Sequence, residues 1–90
     1  MSVPSQPRRR ERVLVERIED ETVLLDLDSG LYFALNEVGA RVWELCDGAR
    51  SVDEIVDVIA GEYDADGATV RTDVVELLAE LVDERLLAPN

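Results

Sequence analysis

The spacing of the apolar residues changes at Asn36, and this change constrains the fold more than any other feature of the chain. Residues 31–35 (LYFAL) are an unbroken run of bulky and aromatic residues, which is typical of a strand. After Asn36, apolar residues recur at helical spacing until Gly48 closes the segment. The sequence therefore predicts a strand that leads directly into a helix, with sheet before this junction and helices after it.

Two further strands are predicted before the junction, over residues 13–18 and 22–27. An acidic turn separates them, and Asp28-Ser29-Gly30 is a hairpin signal because Gly30 can adopt the left-handed conformation that closes a short loop. Consecutive short loops indicate an antiparallel β-meander. Its third strand, over residues 31–35, then lies at an edge unless the chain returns to cover it.

Three helices are predicted after the junction, over about residues 37–47, from Ser51 onward, and over about residues 68–84. The second has the clearest start, because Ser51 and Glu54 form a capping box. The predicted fold class is α+β, a three-stranded antiparallel β-meander followed by a three-helix bundle. We expect a flexible tail over residues 1–12 and one domain over residues 13–88.

Composition excludes several classes of function. The chain of 90 residues has no histidine and one cysteine, Cys46, so we expect no disulfide, no zinc or other metal site, no cofactor and no catalytic triad. The net charge of −12 argues against nucleic acid as a partner. No apolar run is long enough to span a membrane and no signal peptide is evident, so we expect no membrane partner and a cytoplasmic location.

The basic cluster near the N-terminus has two interpretations. It contains Arg8, Arg9, Arg10 and Arg12. It could be an arm that meets an acidic partner, or a solvated segment that leads into the domain. Runs of charge are usually solvated, and the sequence favours that second interpretation.

Two apolar surfaces are wider than a small domain needs. The third strand carries apolar groups on both faces, which indicates either burial on both sides or the addition of a partner strand. On helix three, one stripe is predicted to be core (Val70, Val74, Leu77, Leu81) and a second to face solvent (Asp73, Glu76, Glu80, Asp83). A third stripe beside the core either packs on the sheet or forms one wall of a groove (Arg71, Val75, Leu78, Val82). The pattern alone leaves both alternatives open.

The junction and the helices after it resemble a known family. A hairpin leads to an aromatic third strand, then to Leu-Asn-x-x-Gly-x-x-x-Trp, a turn with glycine, and a capped second helix. These features are present as Leu35-Asn36, Gly39, Trp43, Gly48 and Ser51. Over about residues 13–88 the chain resembles the PqqD-like family, small winged helix-turn-helix-like domains that are also called RiPP recognition elements.

The resemblance implies a function and a site. Family members are not enzymes; they bind the leader of a ribosomally made precursor peptide and present it to a modifying enzyme. The leader adds as a strand along strand three, against helix three. The residues expected to bind it are the edge strand Leu31, Tyr32, Phe33, Ala34 and Leu35, the helix wall Arg71, Val75, Leu78 and Val82, and Arg85. Tyr32 or Phe33 would form an aromatic pocket wall, and the two arginines would pair with leader carboxylates.

The pathway, the partner enzyme and the oligomeric state stay open at this point. The resemblance fits PQQ biosynthesis with a radical SAM enzyme, lasso-peptide biosynthesis with a leader protease, and related pathways. Two alternatives belong to other classes: a winged-helix DNA-binding regulator, and a self-associating scaffold module whose edge strand pairs with a second copy. A monomer and a homodimer are both compatible with the sequence.

Overall fold

The computed structural model describes residues 3–88, in which three strands precede three helices. The elements are β1 (Val13–Ile18), β2 (Glu21–Asp26), β3 (Tyr32–Leu35), α1 (Glu37–Leu45), α2 (Val52–Glu62) and α3 (Gly67–Asp83). The strands form one antiparallel sheet in the order β1-β2-β3, which leaves β3 at an edge. The predicted α+β class, with a three-stranded meander followed by three helices, is confirmed.

Local signals in the sequence explain where the elements begin and turn. Gly30 has a φ of 76°, the left-handed conformation that the β2–β3 hairpin requires. The Ser51 hydroxyl accepts a hydrogen bond from the Glu54 N–H at 3.1 Å, and the Glu54 carboxylate accepts one from the Ser51 N–H at 3.0 Å. This is the capping box predicted for α2. Asp66 caps α3 by accepting a bond from the Thr69 N–H at 3.2 Å.

One apolar core joins the sheet to all three helices. Its buried members come from the sheet (Leu24, Leu35), α1 and its cap (Val42, Trp43, Leu45, Cys46), α2 (Ile55, Val56, Ile59), α3 (Val70, Val74, Leu78, Leu81) and the residues after α3 (Leu86, Leu87). The helices cover only one face of the sheet, because Leu24 is buried whereas Leu14 and Tyr32 on the other face are exposed. The apolar residues of β3 are therefore not buried on both sides.

The described part of the N-terminal segment packs against the domain, which differs from the flexible tail predicted over residues 1–12. Pro4 and Pro7 are buried. The Arg9 N–H donates to the Cys46 carbonyl at 3.0 Å, and the Arg10 N–H donates to the Leu86 carbonyl at 3.0 Å. Composition suggested a tail because it does not show that the backbone of this segment pairs with two other segments. Residues 1 and 2 lie outside the described chain.

Candidate functional site

The outer edge of β3 carries backbone groups that no strand of the described chain pairs with. In an antiparallel pair, alternate residues direct their N–H and C=O groups toward the partner strand and away from it. The Asp26 N–H donates to the Leu31 carbonyl at 3.0 Å, and the register places Phe33 in the next bonded pair. The N–H and C=O groups of Tyr32 and Ala34 therefore point toward the free edge.

The hairpin before β3 is held by the carboxylate of Asp26. This carboxylate accepts hydrogen bonds from the Asp28 N–H at 3.0 Å and from the Ser29 hydroxyl at 3.0 Å. These bonds, the first above all, lower the pKa of Asp26 because they favour its ionised form. The ionised carboxylate thus fixes the turn that positions the edge strand.

The junction between β3 and α1 is compact because a glycine follows the cap. The Asn36 side chain accepts a hydrogen bond from the Gly39 N–H at 2.8 Å, which caps α1. A Cβ on Gly39 would lie 3.2 Å from the Asn36 Oδ1 and 3.2 Å from the Leu35 Cδ2, closer than such contacts usually are. Gly39 therefore allows the start of α1 to pack directly against the end of β3.

A groove of about 390 Å³ runs between β3, the first turns of α1, and α3. We refer to it as the β3–α3 groove. Its lining consists of Phe33, Ala34, Leu35 and Asn36, then Val38, Gly39 and Val42 from α1, and Asp73, Val74, Leu77 and Glu80 from α3. The lining is thus mostly apolar, with carboxylates at two points along the helix wall. An edge strand opposite an apolar helix face is the arrangement that strand addition requires.

The structure brings part of the predicted edge strand into this groove. Phe33, Ala34 and Leu35 line it. Tyr32 is not among the lining residues, and its side chain is 74% exposed on the uncovered face of the sheet. Leu31 is also exposed and is not part of the lining. Of the two aromatic candidates for a pocket wall, Phe33 is therefore the one that faces the groove.

The helix wall of the groove differs from the predicted stripe. Leu78 is 0% exposed and belongs to the core, so its assignment to the groove wall was wrong. Leu77, which was assigned to the core, is half-buried and lines the groove. Val75 and Val82 are not among the lining residues. The predicted groove face of α3 is rotated around the helix axis relative to the observed one. The apolar residues of α3 cover a wide arc, and their spacing fits two adjacent faces equally well.

The two arginines expected to pair with leader carboxylates lie elsewhere. The Arg71 Nη1 is 2.7 Å from the Asp53 Oδ1, which directs this side chain toward α2. Arg85 follows α3 with a φ of 59°, and its carbonyl accepts a bond from the Arg10 guanidinium. Neither residue lines the groove. Their proposed contact with a leader is not supported by this geometry.

The site residues predicted from the sequence include none of the four α3 residues that line the groove (Asp73, Val74, Leu77, Glu80) and none of the three from α1 (Val38, Gly39, Val42). Asp73, Leu77 and Glu80 share one helix face, at a spacing of four and then three residues. The first and last were predicted to be solvent-facing, which is correct as to exposure but omits their place beside the groove. Val38 belongs to the apolar residues at helical spacing after Asn36 and is exposed at the groove. The available signal was that Val38 lies in the first turn of α1, close after the edge strand.

Cys46 is buried and not poised for reaction. Burial raises the pKa of its thiol to about 12, so the thiolate is not formed at neutral pH. Among residues 3–88 no cluster of three or more potential ligands could hold a metal ion. Over the same residues no helix combines the length and apolar character needed to cross a bilayer.

Comparison with known proteins places the chain in a family. The family described as Coenzyme PQQ synthesis protein D (PqqD) matches residues 21–87. The chain belongs to the PqqD family. A PqqA binding protein of Xanthomonas oryzae pv. oryzae is 39% identical over 85 residues, which span 92% of this chain and 90% of the relative. A PqqA binding protein of Rhodopseudomonas palustris is 44% identical over 54 residues, which span 60% of this chain but only 53% of the relative.

Solved PqqD-like structures share the fold. TbiB1, solved in complex with the TbiA(β) leader peptide, has a TM-score of 0.79 and 38% identity, covering 92% of this chain and 96% of TbiB1. The PqqD truncation of Methylobacterium extorquens PqqCD, a stand-alone RiPP recognition element solved by NMR, has a TM-score of 0.80 and 28% identity. The comparison covers 98% of this chain and 96% of that structure. The resemblance read from the junction sequence is thereby confirmed.

Proposed function

We propose that this chain is a non-catalytic peptide chaperone. It binds the leader of a ribosomally synthesised precursor peptide and presents that peptide to a modifying or processing enzyme. The leader adds as a fourth strand along β3 and places alternate side chains in the β3–α3 groove. A radical SAM enzyme and a leader protease are the two kinds of recipient that fit this role.

The observation that carries this proposal is the free edge of β3 beside an apolar groove. Tyr32 and Ala34 offer main-chain donors and acceptors in the spacing of a strand, so an extended peptide can pair with them whatever its sequence. Side chains of the peptide that point toward α3 would contact Phe33, Leu77 and Val38. Backbone bonds then supply affinity, and the lining supplies selectivity.

Relatives support the same assignment. The Xanthomonas relative is a PqqA binding protein, and TbiB1 was solved with a leader peptide bound. Both are similar to this chain over more than nine-tenths of its length. In the described part of this chain, the β3 edge beside α3 offers a place where a peptide strand could be added.

The chemistry of the groove agrees with binding and not with catalysis. Its lining contains no thiol and no histidine, and its carboxylates, Asp73 and Glu80, are exposed. We therefore assign bond-making and bond-breaking to the enzyme that receives the peptide.

Fluorescence anisotropy with labelled leader peptides tests this function. The probes are the leaders of precursor genes next to this one, with PqqA and the TbiA(β) leader as reference peptides. We expect saturable binding in the sub-micromolar to low-micromolar range by at least one neighbouring leader. If a folded protein, verified by circular dichroism, binds none of them, leader recognition is the wrong function for this groove.

Self-association is a second candidate because one face of the sheet is apolar and uncovered. Leu14, Leu25 and Tyr32 lie in one row across the three strands, and the first and last are exposed. A second copy could cover this row or pair with the β3 edge. Gel filtration with and without leader peptide separates the two cases. A dimer that uses the β3 edge should dissociate as the peptide is added, and a dimer through the row should persist.

A further inference from the structure

The N-terminal arm, residues 3–12, forms a second surface that the leader-binding proposal does not use. Its arginine-rich part, residues 8–12, lines a cleft of about 360 Å³ together with Asp28 and Ala88. We refer to this cleft as the basic cleft. It has no lining residue in common with the β3–α3 groove. Both surfaces could therefore be occupied at the same time.

The backbone of the arm is held in place on both sides. The Gly48 N–H donates to the Pro7 carbonyl at 2.9 Å, and the Ala88 N–H donates to the Arg8 carbonyl at 2.8 Å. The stem of Arg8 lies over Gly48, since a Cβ there would be 3.1 Å from the Arg8 Cδ. The arginines are thus presented from a fixed backbone, which reduces the ordering cost of binding a partner.

The lining of the basic cleft has a net positive charge, because its four arginines outnumber its two carboxylates, Glu11 and Asp28. The Arg9 guanidinium donates to the carbonyls of Trp43 at 3.0 Å and Glu44 at 2.6 Å. The Arg10 guanidinium likewise bonds a backbone carbonyl, at 3.2 Å. Carbonyls bind these cations without neutralising them. Among residues 3–88, the ion pair that involves the arm joins Arg12 to Asp28, at 2.7 Å.

We propose that the basic cleft binds a carboxylate-rich segment of a partner protein. Guanidinium groups pair well with carboxylates because two parallel N–H donors match two oxygens. A short acidic segment touches only the cleft, whereas an extended nucleic acid or an anionic membrane would also meet the surface of a chain with a net charge of −12. The structure measures 35 × 32 × 20 Å. At 0.1 M salt, charges more than about 10 Å apart are largely screened, so a short acidic segment in the cleft would be repelled only by carboxylates close to the cleft.

The cleft suggests how a complex with three members is assembled. If the leader occupies the β3–α3 groove, as the proposed function requires, the basic cleft remains open for an acidic segment of the receiving enzyme. This link to the enzyme rests on the proposed function. The binding of a carboxylate-rich segment does not, and it can be tested alone.

Titration of ¹⁵N-labelled protein with an octaglutamate peptide tests the cleft at low salt. We expect amide shifts that are confined to residues 8–12, Asp28 and Ala88 and that diminish as salt is added. The double variant Arg8→Glu/Arg12→Glu should bind about tenfold more weakly, because it replaces two favourable pairs with repulsion. Arg17→Glu on β1 is the matched control, since it reverses an exposed arginine outside the cleft and should retain binding.

Three results would overturn this assignment. The first is a titration without shifts in the cleft, and the second is binding that the double variant retains in full. The third is displacement of octaglutamate by inorganic phosphate at equal charge concentration, which would show a general anion site. Thermal unfolding of the variants confirms that they are folded. Leader binding, measured separately by anisotropy, should be unchanged in the double variant, so failure of leader binding in the native protein would refute the proposed function alone.

Discussion

Substitution of Ala34 by proline tests strand addition at the β3 edge directly. The Ala34 N–H points away from β2, so its removal takes nothing from the β2–β3 ladder. The side chain is exposed on the uncovered face of the sheet, which leaves room for the ring. Proline is tolerated on edge strands whose N–H faces outward, and it keeps the preceding residue, Phe33, extended. We therefore expect Ala34→Pro to fold.

The expected loss of peptide affinity follows from one main-chain bond. A hydrogen bond contributes about 0.5–1.5 kcal/mol net, and a carbonyl of the peptide that is buried without a donor costs about 1–3 kcal/mol. Ala34→Pro removes the donor and leaves that carbonyl unpaired. The dissociation constant should rise by about 5- to 150-fold, which corresponds to about 1–3 kcal/mol.

The assay is anisotropy titration of a labelled leader, with circular dichroism and thermal unfolding as checks on the fold. Ala34→Thr is the control, because it keeps the N–H and adds bulk only on the uncovered face. We expect this control to bind as the native protein does. If Ala34→Pro is folded and binds the leader with native affinity, the peptide does not pair with this edge, and the placement of the site between β3 and α3 is wrong.

Three further predictions concern the helix wall, the core and the hairpin. Leu77→Asp should weaken leader binding at least tenfold. Val75→Asp, at a residue that is 36% exposed outside the groove, should not weaken it. Equal losses of affinity in anisotropy titrations would contradict the assignment of the Leu77 face of α3 to the groove. Trp43→Ala should lower the free energy of unfolding, measured in urea, by about 3–5 kcal/mol. A loss of leader binding in this variant would therefore report unfolding. A decrease in stability of less than about 1 kcal/mol would contradict the burial of Trp43. Because the folded state lowers the pKa of Asp26, its ionised form stabilises the fold above the unfolded pKa, and this contribution disappears as the pH falls through the folded pKa. The stability difference between native protein and Asp26→Asn, measured by urea unfolding, should therefore shrink below pH ~4, and a difference independent of pH would refute this role.

The fold was predictable because its signals are local. Gly30 marks the hairpin, Asn36 the junction and Ser51 the start of α2, and each acts through bonds with residues a few positions away. The N-terminal arm was not predictable in this way. Its backbone bonds to Cys46 and Leu86 link segments far apart in the chain, and no short-range pattern encodes such pairing.

The lining of the groove was predictable for residues 33–35 of the strand and not for the helix. In a strand, successive side chains point to opposite faces of the sheet, and the register determines which of the two faces is buried. Phe33 and Leu35 follow this rule. On α3, Leu77 and Leu78 are adjacent in sequence, so the helical periodicity allows either one to point into the core. Packing against α2 decides in favour of Leu78, because the ion pair between Arg71 and Asp53 marks the side of α3 that faces α2.

Selectivity among leaders has to come from the groove lining, since the main-chain bonds along β3 accept any extended sequence. The apolar part of the lining discriminates weakly, because one methylene more or less changes affinity by only about 1–3 kcal/mol. Asp73 and Glu80 add a second constraint, because under the proposed function their exposed carboxylates would place negative charge beside the leader side chains that face α3. A leader with lysine or arginine there would be attracted, and one with aspartate or glutamate repelled. If both proposals hold, the groove would favour leaders that combine apolar anchors with basic neighbours, and the basic cleft, on a separate surface, would favour acidic partners.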